Sequence, residues 1–130
     1  MRHWKDDVCV EAVPNIQRMA RRDLKVLDAA EHAADMVNQL LDHPAGLRII
    51  SSAQLRRSVH AIAANIMEGF GRGTNGDRAR MLRIARGEAE ESMQHLVANF
   101  RATRISAKEY WAVRNKLAVV VKMLNGLISD

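Results

Sequence analysis

Four segments of the chain carry apolar residues at helical spacing. Between Asp23 and Leu41 two adjacent stripes recur at intervals of three and four residues, one through Leu27 and the other through Val26. This spacing is typical of one face of an α-helix. The later stripes run through Leu55, Val59, Ile62 and Ile66, then Leu82, Ala85, Ala89, Met93, Leu96 and Phe100, and finally Tyr110, Val113, Leu117, Val120, Leu124 and Leu127. No segment of the sequence shows a strand pattern, so the sequence predicts an all-α protein.

Helix-ending and helix-starting signals separate the four segments. Pro44 and Gly46 follow the first segment, and Gly69 and Gly71 end the second. Ser51 with Gln54 and Ser106 with Glu109 have the spacing of capping boxes, while Asp77 is favourably placed at the start of the third helix. Because short connections make consecutive helices antiparallel, we predict an up-down-up-down four-helix bundle over residues 23–130.

Residues 1–22 have no sustained apolar period, and Pro14 interrupts any helix there. We expect a loosely structured leader with a short helical piece around residues 15–21. The single cysteine, Cys9, excludes an internal disulfide framework. The chain has neither the secretory signal nor the run of about 20 apolar residues that crosses a membrane, so we expect a cytoplasmic protein with no membrane contact.

The apolar surface is wider than one small core requires. The first helix carries two stripes, and the fourth contains three consecutive valines at 119–121. Two interpretations stay open, a fully packed interior and an oligomeric contact. We expect a symmetric homo-oligomer.

Positive charge is concentrated in one part of the chain. The formal net charge is +5, but residues 1–50 carry −1 and residues 51–130 carry +6. Residues 56–86 hold seven arginines against two acids, namely Arg56, Arg57, Arg72, Arg78, Arg80, Arg83 and Arg86. Such a cluster favours a polyanionic partner, RNA or DNA first, bound through its phosphates with little sequence specificity. The alternative is a solvated or internally paired basic face, and the spacing of Arg86 and Glu90 suits an i,i+4 pair.

Other chemistry has little support in the sequence. The glycine-rich segment 69–76 follows a helix instead of a strand and lacks the lysine of a phosphate-binding loop. Glu91 and His95 are one residue too far apart for the Glu-x-x-His motif of dimetal bundles, and the other histidines are scattered. No catalytic triad is assignable, so we predict no enzyme activity, no metal and no cofactor.

Asn65 and Glu68 lie near the end of an otherwise apolar helix. We interpret them as structural. Buried polar groups need partners, so Asn65 would satisfy backbone groups at the helix end and Glu68 would pair with an arginine of the next helix.

Three motifs together resemble a known family. Residues 54–58 read Gln-Leu-Arg-Arg-Ser, residues 62–69 read Ile-Ala-Ala-Asn-Ile-Met-Glu-Gly, and residues 83–88 read Arg-Ile-Ala-Arg-Gly-Glu, followed by Glu91. They resemble the four-helix-bundle intervening-sequence ribosomal proteins, some of which are encoded in insertions within large-subunit ribosomal RNA genes. The family pattern has Ser-Ile-Pro where this chain has Ala-Ile-Ala, and serine where it has Glu88. The similarity spans residues 23–130 and leaves the leader outside.

The resemblance implies an antiparallel four-helix bundle that assembles into a ring, typically a homopentamer. It marks Asn65, Glu68, Gly69 and Gly87 as structural motif residues. It also implies kinship with the accessory variability proteins of diversity-generating retroelements, which are basic pentamers that partner a reverse transcriptase and nucleic acid. We therefore predict a non-enzymatic, ring-forming nucleic-acid-associated protein that uses the seven arginines. The alternative is an oligomeric protein-interaction scaffold without direct nucleic-acid binding.

Overall fold

The fold was analysed in a computed structural model of the chain, which describes residues 4–5, 8–9 and 19–129. Four helices make up most of this part. They are α1 (Arg21–Asp42), α2 (Ser52–Phe70), α3 (Asn75–Arg101) and α4 (Ala107–Ile128), with a short 3-10 helix at Pro44–Arg48 between α1 and α2. The predicted all-α class is confirmed.

The helices form an antiparallel bundle in which each packs on its sequence neighbour and α1 also packs on α4. Contacts between opposite ends of consecutive helices show the direction. Arg56 at the start of α2 reaches Asp42 at the end of α1. The Phe100 and Tyr110 rings stack at the junction of α3 and α4, with their centroids 4.6 Å apart.

The core consists of the predicted apolar stripes. On α2 the four stripe residues are fully buried, and on α4 five of the six are buried, with Leu127 partly covered. Both stripes of α1 face the interior between Val26 and Val37. The width of the α1 face is therefore used inside the bundle, because the helix touches both α2 and α4.

A few polar side chains lie within the contact between α2 and α3. Ser58 and Ser92 are fully buried, and their hydroxyl oxygens are 2.7 Å apart. Near the C-terminal end of α3, Asn99 is buried and hydrogen bonds to the backbone of Ile50, just before α2. These bonds set the register of α3 against the start of α2.

Two of the predicted helix starts differ from the structure. The first helix begins at Arg21, two residues before the predicted Asp23, because the Asp23 carboxylate accepts a hydrogen bond from the backbone N–H of Ala20, 3.3 Å away. The capping box predicted at Ser51 is wrong. Ser51 has a left-handed backbone with φ of 56°, and its side chain makes no capping bond. The capping box of Ser106 and Glu109 is confirmed.

The leader contains two short strands that the sequence did not predict. They are β1 (Trp4–Lys5) and β2 (Val8–Cys9), and they pair antiparallel with Trp4 opposite Cys9. The backbone of β2 lies beside α1. The helical piece expected around residues 15–21 falls mostly outside the described residues; among the three that the structure describes, residues 19–21, Arg21 is helical and is the first residue of α1.

Candidate nucleic-acid interface

Two of the seven arginines are held across the bundle by acids. Arg56 donates to Asn38 and to Asp42, at 2.9 Å and 2.8 Å. Arg57 pairs with two glutamates of α3, Glu88 at 3.3 Å and Glu91 at 2.5 Å. These contacts tie the first turns of α2 to its neighbours on both sides.

The charges around Arg57 also affect its titration. The carboxylate of Glu88, and then that of Glu91, raise the pKa of the exposed Arg57 guanidinium above its ordinary value. The guanidinium is charged with or without this shift, so the contact matters for the charge on α3. The negative charges of two glutamates are partly neutralised by this single arginine.

Two further arginines flank the turn between α2 and α3. Arg72 donates to Glu68 at 2.6 Å, an i,i+4 pair that closes the C-terminal end of α2. The sequence-based expectation that Glu68 pairs with an arginine of the next helix is therefore wrong, because α3 begins only at Asn75. Arg78 lies over the ring of Phe70, with 5.5 Å between the guanidinium carbon and the ring centroid.

Arg86 is paired as its spacing predicted. Its Nε lies 3.8 Å from the Glu90 carboxylate, and its Nη1 donates to the side chain of Asn125 on α4 at 2.9 Å. The guanidinium therefore bridges α3 and α4 along their exposed edge.

Arg80 and Arg83 differ from the four ion-paired arginines and from Arg78, which lies over Phe70. Both are exposed, and neither forms an ion pair or side-chain hydrogen bond with any described residue. On a helix of about 3.6 residues per turn, they share one side of α3 with several exposed residues. We call this set the α3 outer face: Arg80, Arg83, Gly87, Gln94, Ala98 and Arg101.

The α3 outer face contains no acid, and the acids beside it are paired. Glu88 and Glu91 contact Arg57, while Glu90 contacts Arg86. The paired arginines thus neutralise the flanks of the face, and the unpaired ones leave it positive. Exposed cations without fixed partners remain available to an external anion.

Arg101 and Arg104 are two further arginines that were not predicted as site residues from the sequence. Both are exposed, and neither forms an ion pair among the described residues. A signal for Arg101 is present in the sequence, because positions 80, 87, 94 and 101 recur every seven residues and none of them is acidic. Two turns of helix separate such positions, so they lie on nearly the same side.

The four motif residues have separate structural settings. The Asn65 side chain donates to the Ala61 carbonyl at 2.8 Å, inside α2 instead of at its end. Gly69 is buried where α2 crosses α3, and a Cβ at this position would lie 3.2 Å from Met81 Cβ. Gly87 is exposed on α3, with open space where its side chain would be. Glu68 pairs with Arg72 at the C-terminal end of α2.

Within the described ranges, no group of three or more His, Cys, Asp or Glu residues is arranged to hold a metal ion. In the same part of the chain, none of the helices has the length and apolar character needed to cross a membrane.

Comparisons with known proteins agree with this fold. No curated protein sequence matches the chain. A crystal structure of a protein of unknown function from the S23 ribosomal protein family of Bacteroides thetaiotaomicron is similar, with 28% sequence identity and a TM-score of 0.75. The similarity covers 84% of this chain and 99% of that one. The family model of the 23S rRNA-intervening sequence proteins matches residues 22–126, the whole bundle except the first residue of α1 and the last two of α4. The chain belongs to the 23S rRNA-intervening sequence protein family.

Proposed function

We propose that this protein is a non-enzymatic, cytoplasmic nucleic-acid-associated protein that binds RNA or DNA phosphates through the α3 outer face. The observation that supports this proposal most strongly is the pairing pattern of the arginines. Arg80, Arg83 and Arg101 lie on one exposed side of α3 without ion-pair partners among the described residues, while the neighbouring glutamates are paired. The family name, which refers to 23S ribosomal RNA, adds weight to a nucleic-acid partner.

The dimensions of the face suit a nucleic-acid backbone. Arg80 and Arg101 are separated by 21 positions of one continuous helix. At about 1.5 Å per residue this is roughly 31 Å, close to the length of one turn of a duplex, about 34 Å. Arginine forks bind phosphate oxygens in a bidentate manner. Because such contacts do not read base edges, we expect binding with little sequence specificity.

We further propose that the chain acts as a homo-oligomer, and a pentamer is the state that the sequence resemblance implies. Exposed apolar residues support an interface. Trp111 and Val119 on α4 are 49% and 43% exposed. Val119 also lies in a groove between α1 and α4, with Met36 on the opposite wall. A ring of five chains would repeat the α3 outer face five times and strengthen binding to a long polyanion by multivalency.

Two other exposed apolar residues favour the second candidate function, a protein-interaction scaffold. Leu47, in the 3-10 helix, is 95% exposed, and the nearby Ile50 is 44% exposed. Apolar residues presented together in this way are typical of interaction sites. In this alternative, another protein occupies the apolar surface and the α3 outer face is only solvated.

Salt dependence of binding distinguishes the two candidates. We would titrate the full chain into a labelled 20-nucleotide RNA and a duplex DNA at about 50 mM and 200 mM salt. Each phosphate contact contributes about −0.7 to −0.9 to the slope of log affinity against log salt. The double variant Arg80→Gln/Arg83→Gln should therefore have a slope shallower by about 1.4 to 1.8. Arg86→Gln on the same helix is the matched control, because this arginine is already paired.

The absence of binding to either nucleic acid at about 50 mM salt would overturn the proposal. If no nucleic acid binds and a protein partner remains bound after nuclease treatment, the result would favour the scaffold. The assembly state is measured separately by analytical ultracentrifugation, where a monomer would contradict the oligomer proposal.

A further inference from the structure

A cavity of about 500 Å³ lies at the end of the bundle where α1 and α3 begin and α2 and α4 end. Its walls combine an apolar part, formed by Phe70, Leu82, Leu127 and Ile128, with charged side chains that include Arg22 and Arg78. Cavities of about 300 to 1,000 Å³ with apolar walls and a few polar groups are typical of small-ligand sites. The polar group that distinguishes this one is Arg78.

The Arg78 side chain is fixed but has no counter-charge. Its guanidinium lies over the Phe70 ring at 5.5 Å, and both residues line the cavity. Its Nε is buried and has no hydrogen-bond acceptor among the described atoms. Arg78 also forms no ion pair with a described residue. A buried N–H without an acceptor is costly, so an anion that neutralises this guanidinium would be stabilising.

Backbone groups near Arg78 reinforce the positive character of the cavity. Asn75 and Gly76 form the first turn of α3 and line the cavity. Their backbone N–H groups precede the first intrahelical bond, which runs from the Arg78 N–H to the Thr74 carbonyl. Asp23 and Arg22 also line the wall with one negative and one positive charge, so Arg78 leaves the lining with a net positive charge; the Asp23 carboxylate accepts the Ala20 backbone N–H.

The cavity and the N-terminal end of the α3 outer face share the first turns of α3. Arg78 is two residues before Arg80, which is about 3 Å along the helix axis and about 200° around it, so the cavity and the outer face lie on opposite sides of α3. A strand whose phosphates follow the α3 outer face toward its N-terminal end therefore reaches this end of the bundle. To enter the cavity, the terminal nucleotide of such a strand has to pass around the start of α3 at Asn75.

We propose that the bundle-end cavity binds a terminal nucleoside monophosphate, with the phosphate on Arg78 and the base against the apolar wall. This inference deepens the proposed function, because the strand that follows α3 would be anchored by its end. The same chemical group occurs in a free mononucleotide, so the experiment distinguishes the two sources.

The first comparison changes the ligand instead of the protein. Labelled ten-nucleotide RNAs that differ only in carrying a 5′-phosphate, a 3′-phosphate or hydroxyl ends would be titrated into the full chain at about 100 mM salt. We expect one phosphorylated end to bind about tenfold more tightly than the hydroxyl form. Adenosine and uridine 5′-monophosphates would be titrated in parallel by calorimetry.

Two variants test whether Arg78 is responsible for the tighter binding of a phosphorylated end. Arg78→Met keeps an unbranched stem over Phe70 and should reduce the ratio of phosphorylated to hydroxyl affinity to about one. Arg83→Met should weaken both forms and leave the ratio unchanged, because Arg83 is exposed on the outer face. Circular dichroism and thermal melting check that both variants are folded.

The outcomes separate this inference from the proposed function. Equal affinity for phosphorylated and hydroxyl ends in the unchanged protein would overturn the inference and leave binding by the α3 outer face intact. Mononucleotide binding that Arg78→Met abolishes, without any strand binding, would support the cavity as a free-nucleotide site and overturn the proposed function. If neither strands nor mononucleotides bind, both proposals are wrong.

Discussion

The side-chain amide of Asn99 forms two hydrogen bonds with the backbone of Ile50, one as acceptor and one as donor, as a residue of a neighbouring β-strand would. Its Oδ1 accepts from the Ile50 N–H at 2.6 Å, and its Nδ2 donates to the Ile50 carbonyl at 3.0 Å. Asn99 is 1% exposed, and its Nδ2 also donates to the His95 carbonyl. One residue of α3 therefore fixes the segment that leads into α2 and presents the exposed Leu47 and Ile50.

Replacing Asn99 by leucine should destabilise the protein strongly. Leucine keeps the volume but leaves the N–H and carbonyl of Ile50 without partners, and each unsatisfied group costs about 1 to 3 kcal/mol. We expect a loss of about 2 to 4 kcal/mol in the free energy of unfolding, measured by urea denaturation. Gln94→Ala, at an exposed position of the same helix, is the control and should change stability by less than about 0.5 kcal/mol. A cost for Asn99→Leu no larger than that of the control would show that the pairing contributes little.

The buried hydroxyl pair of Ser58 and Ser92 should show energetic coupling. The two hydroxyls have two protons for three contacts, so one hydroxyl donates to the other, and the accepting hydroxyl donates to a carbonyl of its own helix, Leu55 for Ser58 or Glu88 for Ser92. Each single change to alanine should therefore cost only about 1 kcal/mol, close to the value of one hydrogen bond. The double variant should cost about 0.5 to 1 kcal/mol less than the sum of the two, because the shared bond is lost only once. Strict additivity in a double-mutant cycle would argue against a bond between the two hydroxyls.

Replacing each of two helical glycines by alanine should change the free energy of unfolding by different amounts. Gly87 has nothing within 4 Å of an added Cβ, so Gly87→Ala should raise the free energy of unfolding by about 0.5 to 1 kcal/mol through helix propensity. At Gly69 the added Cβ would lie 3.2 Å from Met81 Cβ and 3.4 Å from the Arg78 carbonyl oxygen, both fixed to the backbone of α3. Gly69→Ala should therefore be less stable than Gly87→Ala by at least about 1 kcal/mol, since α2 and α3 must move apart. Thermal melting of both variants at one pH tests this difference.

The fold was predictable because the apolar stripes are long and regular. The stripes through Leu55 and Leu117 correctly predicted which faces of α2 and α4 are buried, and the Ser106 capping box was visible from spacing alone. The start of α2 was not predictable in this way. The left-handed backbone of Ser51 adjoins Ile50, whose polar groups are satisfied by Asn99, 49 residues away in sequence.

The candidate site was only partly visible in the sequence for a similar reason. Counting charges identified seven arginines, but which of them are free depends on tertiary pairs. Spacing revealed the pair of Arg86 with Glu90, since both lie on one helix. The pairs of Arg57 join residues 31 and 34 positions apart, so spacing along one helix gives no sign of them. The distinction between paired arginines and the exposed Arg80 and Arg83 therefore required the packing of α2 on α3.

The Glu109 cap should make stability depend on pH in the acid range. The hydrogen bond from the Ser106 backbone N–H, at 2.8 Å, lowers the pKa of the Glu109 carboxyl below its ordinary value of 4.5. A lowered pKa in the folded state gives stability that is present above the ordinary pKa and is lost as the pH falls through the folded value. The free energy of unfolding of the wild type should thus exceed that of Glu109→Ala by about 1 kcal/mol near pH 7. The difference should be smaller at about pH 3. A difference that stays constant over this range in urea titrations would contradict an ionised cap.

Removing the negative charge of Glu91 should strengthen nucleic-acid binding. Its carboxylate contacts Arg57 on α2 and lies 3.6 Å from His95 Nε2, beside the α3 outer face. Glu91→Gln removes one charge that opposes the phosphates and leaves Arg57 with Glu88 alone. We expect the slope of log affinity against log salt to steepen by up to about 0.9 for a duplex, with a several-fold gain in affinity at about 100 mM salt.

Asp42→Asn is the matched control for Glu91→Gln, because it removes one charge from an arginine pair at the end of α1. If the α3 outer face is the binding surface, this control should change affinity much less than Glu91→Gln, although both raise the net charge equally. Equal effects of the two substitutions in anisotropy titrations would show that net charge, and not this face, governs binding. Because charges in solution are screened beyond about 8 to 10 Å at physiological salt, the comparison reports the local field around α3.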